Sequence, residues 1–195
     1  GVYVFLEASV GGGIPAIKPL KQSLVVNRIH NVLGIVNGTT NYILTQMTQK
    51  GADFDEVLAQ AQKLGYAEAD PTADVDGLDA ADKISILASI AFAGRVKRDD
   101  VYCEGIRQVS AAEISYADKL GFVIKLLAIA QRIAENETDE IQLRVHPTLV
   151  SKEHPLANVN GVYNAILVEG EPLGQVMFFG PGAGAGPTAS AVVSD

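Results

Sequence analysis

The chain has 195 residues, of which 48% are hydrophobic and 19% charged, and its formal net charge is -8. So many apolar residues exclude a disordered polar chain. The acidic balance, with no cluster of Lys and Arg, excludes the phosphate neutralisation that nucleic acid or an anionic membrane surface demands. No stretch of about 18 uninterrupted apolar residues exists, so a membrane-spanning helix is not expected. A single cysteine, Cys103, rules out an internal disulfide, and His30, His146 and His154 are too scattered for a zinc site. A reducing, cytoplasmic setting is the default reading. The chain opens Gly1-Val2-Tyr3-Val4-Phe5, without an initiator Met or a basic leader, and reads as a piece of a longer protein.

In chain order, residues 2–8 are β-branched and aromatic and predict a strand, broken by Val10-Gly11-Gly12-Gly13-Ile14-Pro15. A short helix follows to about Ser23. Residues 26–36 predict a second strand. Asn37-Gly38-Thr39-Thr40 predicts a turn with a Thr N-cap, opening a helix through Met47. Phe54, Val57, Leu58, Ala61 and Leu64 recur at helical spacing, so residues 53–64 predict an amphipathic helix stopped by Gly65. An acidic, irregular stretch runs from Gly65 to Gly77. The apolar run 78–93 predicts a buried helix, and Ser110-Ala111-Ala112-Glu113 is a capping-box pattern opening another. From Lys125 onward, apolar runs alternate with turn signals at Asn136–Glu140 and Gly170-Glu171-Pro172, predicting antiparallel strands and hairpins. The expected fold is α+β: a mixed, largely antiparallel sheet covered by helices on one face.

Two places could carry chemistry. Residues 65–83 gather Glu68, Asp70, Asp74, Asp76, Asp79 and Asp82 around the start of the 78–93 helix, with Lys83 on the same face as Asp79. Asp76-Gly77-Leu78-Asp79 suits an N-cap with an acidic third residue. Spacing leaves two readings open. An i, i+4 acid–lysine pair is ordinary helix decoration; a Lys at the edge of a buried helix, partly desolvated beside an acid, can also pass a proton. The order Asp70, Asp74, Asp76 does not match a calcium loop. The second place is Gly180-Pro181-Gly182-Ala183-Gly184-Ala185-Gly186-Pro187-Thr188, where a strand meets glycines and a helix start. Such backbone lets a phosphate approach closely. It satisfies GxGxxA, yet no second strand and no acid some 20 residues on follow it; a tightly turning loop is the alternative. Glu7 with the glycines after Val10 could hold a hard cation or simply end a strand. His30 reads as a packed strand residue and Cys103 as an inert thiol. Asn136-Glu137-Thr138 matches a glycosylation sequon by chance.

Four motifs in order carry a resemblance: Glu7 to Pro15, Gly34 to Ile43, Gly65 to Lys83, and Gly180 to Thr188. Together they resemble homoserine dehydrogenase, over the whole chain. The resemblance implies interconversion of homoserine and aspartate-4-semialdehyde with NAD(P), on the route to threonine, methionine and isoleucine. It implies Lys83 as proton donor and acceptor at the substrate oxygen, oriented by Asp79. It places the substrate ammonium at Glu68, near the backbone of Gly65 and Tyr66, with Asp74 and Thr39 in the same pocket. It implies a sodium-type site at Glu7, Val10, Gly12 and Ile14, and a cofactor loop at Gly182, Gly184 and Gly186. It implies a homodimer formed through the sheet. Residues 1–178 then read as the substrate-binding, catalytic and dimerisation domain, and 179–195 as the loop and helix start returning to a nucleotide-binding domain. No strand–GxGxxG–helix opening and no second, upstream Lys of the family are in the sequence, so the chain alone is expected not to turn over homoserine. A non-catalytic small-molecule-binding or dimerisation module is the competing reading.

Overall fold

The computed structural model describes residues 6–135 and 138–195. Its elements in chain order are α1 (Ile17–Lys21), β1 (Arg28–Ile35), α2 (Gly38–Lys50), α3 (Phe54–Lys63), α4 (Thr72–Val75), α5 (Leu78–Ala91), β2 (Tyr102–Cys103), α6 (Ala111–Lys119), β3 (Phe122–Glu135), β4 (Thr138–Ser151), β5 (Tyr163–Glu171), β6 (Gly174–Pro181) and α7 (Ala185–Ser194). The strands form one sheet in the order β2-β4-β3-β1-β5-β6. Every pairing is antiparallel except the two-residue β2, which lies parallel to β4. The expected α+β class and mixed, mostly antiparallel sheet are what the chain adopts.

Period-two alternation sorts the strands into two faces. Ile29 and Val32 of β1, Ile124, Leu126, Ala128 and Ala130 of β3, and Ile166 and Val168 of β5 join the main core. Helices α2, α5 and α6 all pack on that side. The opposite residues, among them Ile35, Leu127, Ile129, Ala165 and Leu167, pack with Leu156 and Val159 in a smaller cluster under the 3-10 turn Pro155–Asn158. Beyond that turn the second face keeps apolar side chains at the surface, including Met177, and Tyr163 stacked on a 54% exposed Phe179 at 5.2 Å.

Local signals and outcome differ at several points. Of the expected strand 2–8, residues 2–5 lie outside the described residues, and Glu7–Ser9 form a 3-10 turn. The expected turn at 136–140 and the sequon there include Asn136 and Glu137, which also lie outside the described residues. Helix α2 starts earlier than a cap at Thr39 or Thr40 would allow, because Asn37 is its N-cap and accepts from the Thr40 N–H at 2.9 Å. Helix α5 has Gly77 at its N-cap, at φ +81°, with no side-chain cap. Asp76 does not cap α5 because its carboxylate takes the Arg107 guanidinium instead. The acidic stretch contains one helical turn, α4. The capping box at Ser110 and Glu113 forms as expected, with both reciprocal bonds present. Strand β6 continues to Pro181, past residue 178, paired with β5 throughout.

Candidate active site

Three strand ends converge at one margin of the sheet. Strand β1 runs into Val36 and Asn37, β5 begins beside it, and antiparallel β6 returns there to Pro181. A cavity of about 410 Å³ opens at this margin. Its wall includes Asn37, Gly38 and Thr39 from the start of α2, Gly65 and Tyr66, Asp74 of α4, and Asp79 and Lys83 of α5. Val162, Asn164 and the segment Pro181 to Gly184 complete it.

The amine of Lys83 donates to Asp79 Oδ2 at 2.7 Å and to the Val36 carbonyl at 2.8 Å. Helical spacing delivers the first partner; only the arrival of β1 beside α5 delivers the second. An ammonium has three hydrogens, and the third makes no hydrogen bond among the described residues. The side chain is 20% exposed, so the amine is partly withdrawn from water yet open to a ligand. Asn37 ties the acids together: its Nδ2 donates to Asp74 Oδ1 at 2.7 Å and to Asp79 Oδ2 at 2.9 Å. Its Oδ1 is meanwhile fixed by the N–H and hydroxyl of Thr40. Two carboxylates and an amine are thus positioned by one amide.

The residues expected at the site are sorted by this geometry. Lys83, Asp79, Asp74, Thr39, Gly65 and Tyr66 meet at the cavity. The Thr39 hydroxyl donates to the Tyr66 carbonyl at 2.7 Å, which fastens the 65–66 turn to α2. Glu68 is not in the wall: it lies exposed on the same loop, its carbonyl accepting from Gln62 Nε2 at 3.0 Å. Gly182 and Gly184 line the cavity, and Gly184 caps α7; Gly186 lies within the first turn of α7 and does not. The N-terminus of α7, favourable to negative charge, therefore opens beside the cavity.

Glu7, expected beside a cation, is buried, with Oε1 accepting from the N–H groups of Ala16 and Ile17 at 2.6 and 2.8 Å and Oε2 from Lys18 at 2.7 Å. That carboxylate serves the orphan donors at the start of α1. Among the described residues no group of three or more His, Cys, Asp or Glu could hold a metal ion. The glycines of that loop meet the second glycine loop instead: a Cβ on Gly12 would stand 2.5 Å from the Gly182 carbonyl oxygen. Cys103 is half-buried, and burial pushes its thiol up, as an inert residue requires.

The sequence did not single out Asn37, Asn164 or Lys125. Asn37 had a signal, its place just before the Gly38-Thr39-Thr40 helix start. Lys125 interrupts an apolar strand run, which is also legible. Asn164 has no signal beyond being polar among apolar neighbours.

The family model described as homoserine dehydrogenase matches residues 15–195. The Synechocystis homoserine dehydrogenase is 75% identical over all 195 residues, which are 45% of that protein. The Corynebacterium glutamicum homoserine dehydrogenase is 56% identical over the same residues, 44% of its length. Among solved structures, a homoserine dehydrogenase from Thiobacillus denitrificans superposes with a TM-score of 0.94 at 53% identity, over 98% of this chain and 43% of that one. A hyperthermophilic archaeal homoserine dehydrogenase in complex with NADPH matches with a TM-score of 0.81 at 31% identity, over 97% of this chain and 53% of that one. The chain thus spans less than half the length of the curated relatives it matches. The motifs, the fold and these matches agree: the chain belongs to the homoserine dehydrogenase family.

Proposed function

We propose that this chain is the substrate-binding and catalytic part of an enzyme that interconverts L-homoserine and L-aspartate 4-semialdehyde, with Lys83 as general acid and base. The observation that carries the reading is the Lys83 amine, anchored on Asp79 and Val36 with one hydrogen free toward the cavity. In the reducing direction that amine supplies a proton to the oxygen that becomes the hydroxyl. In the oxidising direction the neutral amine takes the hydroxyl proton. Asp79 orients the amine and balances its charge, and Asn37 holds Asp79. Asp74 is the carboxylate that the wall offers to the substrate ammonium. Glu68, exposed on the loop of Gly65 and Tyr66, is the ammonium partner that the resemblance adds.

NAD(P), when bound, accepts or returns the hydride. This chain's fit to its nicotinamide end rests on two features of the cavity. The Asn164 amide has a buried oxygen unmatched among the described residues, and residues 182 and 184 leave the wall bare of side chains. We also propose that two copies associate through the second sheet face, where Tyr163, Met177 and Phe179 stay exposed; apolar patches of this kind mark interaction surfaces.

The test is direct. A complete enzyme containing this chain is expected to form NAD(P)H from homoserine, followed by absorbance, while the 195 residues alone do not. A complete enzyme that binds NAD(P)H but leaves homoserine untouched sinks the reading.

A further inference from the structure

Asn164 is the second residue of β5 and part of the wall of the Lys83 cavity. It is 1% exposed. Its Oδ1 is buried without a hydrogen-bond partner among the described residues. The other such atom there, His30 Nε2, at least lies 3.8 Å from the Glu171 carboxylate. A buried amide oxygen left unmatched carries its full desolvation cost, and native proteins seldom keep one without a use. The backbone of Gly182 rests directly on this amide. A Cβ at residue 182 would stand 2.0 Å from Asn164 Nδ2 and 2.1 Å from its Cγ. The amide therefore fills the volume in which any other residue at 182 would place its side chain.

We propose that Asn164 is a ligand-binding residue of this cavity, pairing with the carboxamide of a nicotinamide ring seated under the segment Pro181 to Gly184. The proposal deepens the hydride-transfer reading and rests on it. Three observations select that ligand group. First, the cavity already offers Asp74 and Asp79 to a cation, and a cation placed at a neutral amide would forgo both. Second, the unmatched atom is an acceptor, so the group it selects must donate. A carboxamide N–H2 donates without carrying charge, whereas a carboxylate only accepts. Third, the glycines at 182 and 184 put bare backbone over the amide, which suits a flat ring. Pro181, where the segment begins, pairs with Tyr163 of β5, and its carbonyl is reached by the Gly13 N–H at 3.4 Å.

The experiment uses the complete enzyme and reads binding by isothermal titration calorimetry. The probes are the reduced cofactor and its analogue bearing an acetyl group where the carboxamide stands. That analogue keeps the carbonyl and loses the N–H2. The unsubstituted enzyme is expected to bind the carboxamide form about tenfold more tightly, the worth of one hydrogen bond. Asn164→Ala is expected to weaken binding of the carboxamide form by about the same factor and to bind both probes alike, with its circular dichroism melt checked in parallel. An Asn164→Ala enzyme that still discriminates overturns the proposal. So does an unsubstituted enzyme that binds both forms equally, a result that needs no variant. Failure of the unsubstituted enzyme to bind the reduced cofactor at all overturns the hydride-transfer reading itself, and this proposal with it.

Discussion

Lys83 and Lys125 both reach a backbone carbonyl at an end of the sheet, and their surroundings give them opposite work. Lys83 sits on the edge of α5, paired with Asp79 at 2.7 Å, and keeps one hydrogen for the cavity. Lys125 sits near the start of β3, 3% exposed, with no carboxylate partner among the described residues. Its three hydrogens go to the Val159 carbonyl at 2.6 Å, Asn160 Oδ1 at 3.0 Å and Asn41 Oδ1 at 3.3 Å. Burial pulls the Lys125 amine down to about 8. The difference teaches what the proton-transferring role proposed for Lys83 needs: an acid to orient the amine, a spare donor and a way out. An amine that spends every hydrogen on neutral acceptors is a fastening instead. Here it fastens the 159–163 segment to α2, helped by Asn41 Nδ2, which donates to the carbonyls of Val159, Gly161 and Tyr163. That segment leads into Val162 and Asn164 of the cavity wall, so Lys125 acts on the site only by holding its wall in place.

The sharpest way to break this contrast is to remove each amine. Lys83→Ala in the complete enzyme should lower kcat by about 10²–10⁴-fold, the usual span for a lost general acid–base, and barely move the urea midpoint. Retention of more than a tenth of the activity would contradict the role given to Lys83.

The next effect separates the lysines by pH. The Lys125 amine titrates lower in the folded chain than at its ordinary value of 10.5. Below about pH 8 it is charged in both states, and folding bears the whole cost of burying it. Between about 8 and 10.5 the unfolded chain holds more protons, so this group's contribution to stability improves as pH rises. Full relief is on the order of 3 kcal/mol. Urea melts of the unsubstituted protein and Lys125→Met across this range should show the difference between them shifting toward the unsubstituted protein by that amount. A constant difference would mean the amine is not buried as described.

A smaller effect tests the wall itself. Gly182→Ala drives a methyl into the Asn164 amide and should cost about 1–3 kcal/mol, as overpacking does. Asn164→Ala in the same chain should recover part of that loss, measured by thermal melts of the single and double variants. Additive losses would show that the two do not touch. The smallest is a control remote from both lysines. Ser110→Ala removes the acceptor of the Glu113 N–H at the start of α6 and should cost about 1 kcal/mol, leaving the pH dependence assigned to Lys125 unchanged.

Some of this was legible in local sequence because the forces concerned are local. The capping box at Ser110, the 3.6-residue rhythm of α3, the apolar run of α5 and the i, i+4 pairing of Asp79 with Lys83 all lie within a few residues along the chain. The glycine loops announced that backbone would pass close to something, without naming it. An error arose where a residue had a distant competitor: Asp76 turned to Arg107 rather than capping α5. Two-residue β2 carried no pattern at all; its partners in β4 are Arg144 and Val145, about 40 residues on.

The sequence by itself determined the elements, the acidic loop, the glycine loops and the family. Only the tertiary structure decided that Lys83 would find the Val36 carbonyl, that Asn37 would bind two acids at once, and that Asn164 would lie unmatched beneath Gly182. Local periodicity fixes which way a side chain faces on its own helix or strand. It says nothing of which strand end arrives opposite, and hydrogen bonds act over about 3 Å. Their partners, 47 residues apart for Lys83 and Val36, are chosen by how helices and sheet pack.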